Sequence, residues 1–102
     1  LSQLDQLVFE QLHVVFGTVK DKPLNKILSL LPTDASYYFC AANVPRALET
    51  KDLLVEASKY GLLGKEYPSV NKAIEAAKLK AKEDDLIFIG GSTFVVAEIE
   101  NL

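Results

Sequence analysis

The sequence is poor in the features that mark membrane-spanning, secreted and disulfide-rich proteins. No apolar run approaches the roughly 20 residues needed to cross a bilayer, and no basic leader with an apolar segment and a small-residue cleavage site is seen. We therefore expect neither a membrane partner nor secretion. The one cysteine, Cys40, cannot form an internal disulfide, and its apolar context SYYFCA predicts a buried thiol. A cytoplasmic location fits this cysteine usage.

The charge balance and the few potential metal ligands argue against nucleic-acid binding and against a metal site. Eleven Lys and Arg residues against 14 Asp and Glu residues give a net charge of −3, and the lysines are scattered, so no nucleic-acid partner is expected. The single histidine, His13, falls inside a predicted strand and is interpreted as structural. There is no Cys/His cluster, and Glu83–Asp85 is interpreted as a solvated turn before a strand. The sequence therefore predicts no metal site and no catalytic residue.

What the sequence does contain is an alternation of strand-like and helix-like segments, within a length of 102 residues that suits a single domain. Runs of β-branched and aromatic residues predict strands at LHVVFG, SYYFCA and LIFIG, with a short edge-like strand at 65–67. Strands alternating with helices predict a three-layer α/β/α domain with a mostly parallel, Rossmann-like sheet. The chain opens without a methionine, so we expect a piece of a longer protein.

Apolar residues at helical spacing, together with capping residues, predict the helices between these strands. Asp21 is expected to cap a helix that runs to about residue 31 and is stopped by Pro32. Thr50 is expected to cap a second helix, which Gly61 ends, and Ser69 to cap a third. An opening helix is predicted to end near residue 11.

The glycine turn at Gly90 and Gly91 raises the question of a nucleotide site. The segment IGGSTF lacks the G-x-G-x-x-G spacing of a dinucleotide fingerprint, and GLLGKE lacks the spacing and the hydroxyl of a phosphate loop. We interpret the turn as a tight connection into a helix capped by Ser92, whose amides could attract a carboxylate. The β-branched residues of 92–100 also permit a strand, but a helix is preferred.

The loops at the carboxyl ends of parallel strands gather at one edge of the sheet, where ligands bind in such folds. Here those loops are GTVKDKP, ANVPRAL and GGSTF. Arg46 is the only arginine and follows Pro45, and a guanidinium in so stiff a loop suits bidentate recognition of a carboxylate. A solvated arginine, or an ion pair with Glu49, is the alternative. Lys22, beside Asp21, would add positive potential to the same edge.

Taken in order, three segments resemble the carboxy-terminal domain of folylpolyglutamate synthase/dihydrofolate synthase, which belongs to the Mur ligase superfamily. They are LHVVFGTVKDKPLNKILSLLP, YYFCAANVPRALETKDLLVEA and DDLIFIGGSTFVVAEI, and together they cover nearly all of the chain. The family order is F-G followed by D-K-D, then P-R-A-L, then G-S. The resemblance implies a Mur-ligase C-terminal-domain fold that lacks its first strand or strands, with the family's D-x-A-H-N-P segment expected before residue 1.

The resemblance implies part of an ATP-dependent ligase that adds glutamate to folate through an acyl-phosphate intermediate. ATP and Mg²⁺ would be bound mainly by an upstream ATPase domain of the same polypeptide, which leaves this fragment inactive alone. The second aspartate of the D-K-D element is Pro23 here, so any role of that position is lost. The positions carried over as substrate-binding are Asp21, Lys22, Arg46, Gly91 and Ser92, with Arg46 as the expected carboxylate contact.

A second hypothesis comes from a different class of protein. The chain could be a stand-alone α/β module that binds a small anion or regulates a partner, without ligase activity. The coding sequence upstream of residue 1 distinguishes the two, because only the ligase requires a phosphate loop there.

Overall fold

The structure is a computed structural model that describes residues 11–20 and 23–90. The expected helix at 92–100 and residues 1–10 of the expected opening helix lie outside these residues, as does Asp21. The expectation that Asp21 caps the next helix is wrong, because Pro23 occupies the cap position of that helix. The described elements, in chain order, are β1 (Leu12–Phe16), α1 (Leu24–Ser29), β2 (Ser36–Phe39), α2 (Thr50–Ser58), β3 (Gly64–Glu66), α3 (Val70–Lys80) and β4 (Leu86–Gly90).

The four strands form one parallel sheet in the order β3-β2-β1-β4. β1 therefore lies inside the sheet, and its Val15 is paired with Tyr38 on one side and with Ile89 on the other. Every strand-to-strand connection contains a helix, as parallel pairing requires. The predicted parallel α/β architecture is confirmed, and the short strand expected at 65–67 is found one residue earlier.

Helices cover both faces of the sheet, so the core is divided in two. On one face, Val14 and Phe16 of β1 pack with Leu28 of α1 and Leu53 of α2. On the other face, the alternating residue Val15 packs in a cluster with residues of α3. Cys40 belongs to this second cluster and is buried, as its apolar context predicted. The result is the three-layer arrangement expected from the sequence.

Local capping explains where the helices begin and end. The Ser69 hydroxyl accepts a hydrogen bond from the backbone N–H of Lys72 at 3.1 Å, which confirms its predicted role as the cap of α3. Thr50 was expected to cap α2, but this is wrong: Thr50 is the first helical residue, and Glu49 occupies the cap position in an extended conformation. Gly61 follows the end of α2 with a φ of +76°, a conformation that favours glycine.

The remaining helix is shorter than the sequence suggests. α1 ends at Ser29, because the amides of Leu30 and Leu31 bond to carbonyls three residues back and tighten the chain before Pro32. Within the described ranges, no helix has both the length and the apolar character that a membrane span requires.

Candidate functional site

The carboxyl ends of β1, β2 and β4 meet at one edge of the sheet. Phe16, the last residue of β1, is paired with Phe39 of β2 and with Gly90 of β4. The Gly17 amide donates to the Gly90 carbonyl at 3.3 Å, and the Cys40 amide donates to the Phe16 carbonyl at 3.0 Å. The three loops named from the sequence therefore start side by side.

The order of the strands marks a particular point on this edge. From β1 the chain crosses to β2 over the face that holds α1 and α2, whereas it enters β4 from α3 on the opposite face. The gap between the ends of β1 and β4 is therefore a topological switch point, and ligands of open α/β sheets bind in such gaps. Gly17 and Gly90 flank it.

Arg46 is attached through its backbone to the loop that follows β1. Val19 and Ala47 form an antiparallel bridge, the Lys20 amide donates to the Arg46 carbonyl at 2.8 Å, and the Leu48 amide donates to a carbonyl of the first loop at 2.9 Å. We call this arrangement of residues 18–20 and 46–48 the loop clip. It fixes the backbone of Arg46 beside the segment that leads into Asp21, while the residue itself remains exposed.

Only one of the five predicted substrate-binding residues lies in the described part of the chain. Arg46 is at the expected edge of the sheet. Asp21, Lys22, Gly91 and Ser92 lie outside the described residues, and whether they share a ligand with Arg46 stays a prediction. Their described neighbours are informative, since Gly90 is held against β1 and Lys20 against Arg46.

Thr18 is a polar residue of this edge that the sequence reasoning did not single out. It is 2% exposed, and its hydroxyl oxygen is buried without a hydrogen-bond partner among the described residues. Its carbonyl takes part in the loop clip by accepting from Leu48. A threonine directly after the F-G that ends a buried strand could have drawn attention, because unpaired buried hydroxyls are uncommon.

A second group of polar side chains lies near the amino edge of the sheet. His13 is 4% exposed, its Nε2 lies 2.8 Å from Asp85 Oδ2, and its Nδ1 lies 2.8 Å from the Tyr38 hydroxyl. Asp85 Oδ2 also accepts from the Lys82 amide at 2.9 Å. The interpretation of His13 as structural fits this burial. The expected solvated turn is wrong for Asp85, whose side chain is 4% exposed because His13 and the turn enclose it.

Hydrogen bonds and burial set the protonation of this group. The Lys82 amide, followed by His13, holds the pKa of Asp85 below its usual value, so the carboxylate is ionised and can only accept. His13 therefore donates to this carboxylate through Nε2, and its Nδ1 is hydrogen-bonded to the Tyr38 hydroxyl. Burial raises the pKa of Tyr38, which keeps that hydroxyl protonated. The other carboxylate oxygen, Asp85 Oδ1, is buried without a hydrogen-bond partner among the described residues.

The described residues provide no obvious place for a metal ion. Across 11–20 and 23–90, no three His, Cys, Asp or Glu side chains are grouped closely enough to hold one. The exposed turn residues Glu83 and Asp84 do not change this, since Asp85 is already engaged by His13 and Lys82.

Comparison with curated proteins finds relatives in the haloarchaea. A protein of Haloferax volcanii named probable bifunctional folylpolyglutamate synthase/dihydropteroate synthase is 30% identical over 96 residues, which is 93% of this chain. A protein of the same name from Halobacterium salinarum is 34% identical over 94 residues, or 88% of this chain. The chain spans only 12% and 11% of the lengths of these two relatives.

Solved structures of similar fold come from bacterial enzymes. E. coli FolC in complex with ADP superposes with a TM-score of 0.82 and 26% identity, over 94% of this chain and 23% of that one. A folylpolyglutamate synthase/dihydrofolate synthase of Yersinia pestis gives a TM-score of 0.79 at 21% identity, over 94% of this chain and 22% of that one. The second likeness supports the fold alone.

The family comparison covers most of the chain. The family described as Mur ligase, glutamate ligase domain, matches residues 1–93, which include all of the described elements. This chain therefore belongs to the family of Mur ligase glutamate ligase domains.

Proposed function

We propose that this chain is the carboxy-terminal, glutamate-binding lobe of an ATP-dependent folylpolyglutamate synthase. The observation that carries the proposal is the loop clip, which holds the only arginine of the chain at the ligand-binding edge of a Mur ligase glutamate ligase domain. The names of the haloarchaeal relatives, and the ADP in the similar E. coli FolC structure, support the reaction class.

In the proposed reaction, ATP supplies a phosphoryl group to a folate carboxylate, and the resulting acyl phosphate is attacked by the amino group of glutamate. The new C–N bond forms as the C–O bond to phosphate breaks, phosphate leaves with the electron pair, and the amine loses a proton. The upstream domain would hold ATP and Mg²⁺. This lobe would contribute binding and orientation of the incoming glutamate.

Arg46 would hold a carboxylate of glutamate through paired N–H donors, which a planar guanidinium presents at fixed spacing. Ser92, Gly91, Asp21 and Lys22 would contribute further contacts to the same ligand, as the resemblance to the family implies. Orienting the amine in this way accelerates the reaction, because the loss of translational and rotational entropy then occurs on binding and not in the chemical step. Closure of this lobe over the upstream domain would bring the two substrates together.

The test compares two alanine variants of the full-length ligase that each remove one exposed cation. Arg46→Ala is expected to raise KM for glutamate by about 10- to 100-fold, the loss of a charge-assisted contact, and to leave KM for ATP unchanged. Lys59→Ala is the matched control, because Lys59 follows α2 at the opposite edge and pairs with Glu56 on the surface. An equal KM for glutamate in the two variants would contradict the assignment of Arg46 as the residue that binds the glutamate carboxylate.

The division of labour between lobes has its own test. Calorimetric titration of the 102-residue chain with MgATP is expected to give no tight binding, and the chain alone is expected to form no glutamyl product. Tight MgATP binding by this chain would contradict the proposal that the nucleotide belongs to the upstream domain.

A further inference from the structure

β4 ends at the switch point with Gly90, and its sequence does little to fix its register against β1. Leu86 and Phe88 pack on the core with α1 and α2, whereas Ile87 and Ile89 pack on the core with α3. Both faces of the strand are therefore apolar. A shift of β4 along β1 would exchange one apolar side chain for another, so the hydrophobic pattern specifies the register weakly.

Polar contacts just before β4 fix the register that the hydrophobic pattern specifies only weakly. Asp85 directly precedes the strand, and its Oδ2 is held at 2.8 Å from His13 Nε2 and at 2.9 Å from the Lys82 amide. The Leu86 amide donates to the Gln11 carbonyl at 3.0 Å. A slip of one residue, about 3.3 Å, would break these bonds and leave a buried carboxylate without its partners, which is strongly unfavourable.

The histidine that receives Asp85 is itself held in place from the other side. Tyr38 of β2 bonds His13 Nδ1 at 2.8 Å, and Tyr38 is 2% exposed. The Lys80 ammonium of α3 lies 5.7 Å from the centre of the Tyr38 ring. A continuous chain of hydrogen bonds thus crosses from β2 through β1 to the turn before β4. We call Tyr38, His13 and Asp85 the register pin.

We propose that the register pin positions the substrate site at the opposite edge of the sheet. With the pin closed, Gly90 pairs with Phe16 and its carbonyl accepts from the Gly17 amide, so the end of β4 lies at the switch point beside the loop that follows β1. The pin acts over the length of β4, about 15 Å, without touching substrate. This inference rests on the proposed function, and it makes His13, Asp85 and Tyr38 positioning residues for glutamate.

The surroundings of the pin allow it to be removed and then restored chemically. A cleft of about 600 Å³ opens beside it. In His13→Ala, the space left by the side chain would connect with this cleft, so that added imidazole can enter and bridge Asp85 and Tyr38.

The first experiment measures glutamate kinetics in the full-length ligase. His13→Ala is expected to raise KM for glutamate about 10- to 100-fold, as misplacement by an ångström can do, with KM for ATP unchanged and with recovery on adding imidazole. Ser69→Ala is the control, because it removes the cap of α3 and lowers stability while leaving the pin intact. It should change neither KM, and imidazole should have no effect on it.

The second experiment is independent of ligase activity and measures amide exchange of β4 in the 102-residue chain by NMR. His13→Ala should accelerate exchange in β4 by roughly tenfold more than Ser69→Ala does, the factor expected for loss of a buried hydrogen bond. Equal acceleration of β4 amide exchange by both variants overturns the inference that the register pin holds β4 in place. Selective acceleration with unchanged glutamate KM overturns its positioning role. Selective acceleration in a protein with no ligase activity upholds the pin and overturns the proposed function.

Discussion

Replacing Gly64 by alanine is predicted to detach β3 from the sheet. A Cβ added at Gly64 would overlap the Tyr37 carbonyl oxygen and lie 2.7 Å from both the carbonyl carbon and the Cβ of Tyr37. Carbon atoms in contact are normally 3.5–4.0 Å apart, so β3 must move away from β2 by about 1 Å. The Tyr37 amide, already 3.3 Å from the Leu63 carbonyl, would then pass beyond hydrogen-bonding distance.

The magnitude follows from the bonds at stake. β3 pairs with β2 over three positions, and two further bonds flank the pairing, at the Tyr37 and Tyr67 amides. Loss of two or three such bonds, at about 1 kcal/mol each, lowers the free energy of unfolding by about 2–3 kcal/mol. For a domain of this size that corresponds to a fall in Tm of roughly 10–20 °C. Urea unfolding of the 102-residue chain, followed by far-UV circular dichroism, measures the change.

Gly61→Ala is the matched control, since it makes the same chemical change three residues earlier. Gly61 needs its glycine for a different reason: its φ is +76°, but a Cβ there would meet only Thr33 Cγ2, at 3.6 Å. The expected loss is about 1 kcal/mol, the cost of a left-handed backbone, and Gly61→Asn should recover part of it. The reasoning is refuted if Gly64→Ala is no more destabilising than Gly61→Ala, or if asparagine rescues position 64.

Three other predictions use titration and thiol chemistry. Burial raises the pKa of Tyr37 to about 12, whereas the pKa in the unfolded chain is about 10. The contribution of the protonated Tyr37 to the free energy of unfolding is therefore complete below pH 10 and is lost as the pH rises towards 12. Tyr37→Phe should make the free energy of unfolding less dependent on pH in this alkaline range. The pKa of Asp85 is lowered by the Lys82 amide and by His13, so its contribution is present above about pH 4 and is lost on further acidification. Asp85→Asn should therefore approach wild-type stability as the pH falls, and a constant gap between the two would contradict the assignment. Cys40 is 0% exposed, so a thiol reagent should modify it only at the rate of unfolding, and rapid reaction in native buffer would show that the core is open there.

The sequence predicts the sheet well, because its signals are local. The run Leu12–Phe16 is β-branched and aromatic, and Ser69 precedes an apolar stripe at helical spacing, so strand and cap are both legible without knowledge of the fold. The error at Thr50 is also local in origin. Glu49 and Thr50 can both begin a helix, and the extended backbone at Glu49 decides between them, which composition does not reveal.

The contacts of the register pin could not be predicted from the sequence in the same way. His13 and Asp85 are 72 positions apart, and they meet only because β4 is placed beside β1 in the strand order. A prediction of parallel strands does not give their order, so Asp85 was interpreted from its two acidic neighbours as solvated. The Arg46 edge was easier, since all carboxyl-end loops of a parallel sheet share one side.

The β3 edge of the sheet has a consequence for how molecules of this protein behave at high concentration. β3 offers a neighbouring chain only three residues, all exposed, and two of them are Lys65 and Glu66. A strand so short and so charged is a poor template for strand addition by another molecule, which protects natural sheets from open-ended association. The same brevity that should let one methyl group dislodge this strand thus also makes the β3 edge a poor site for fibril-like stacking.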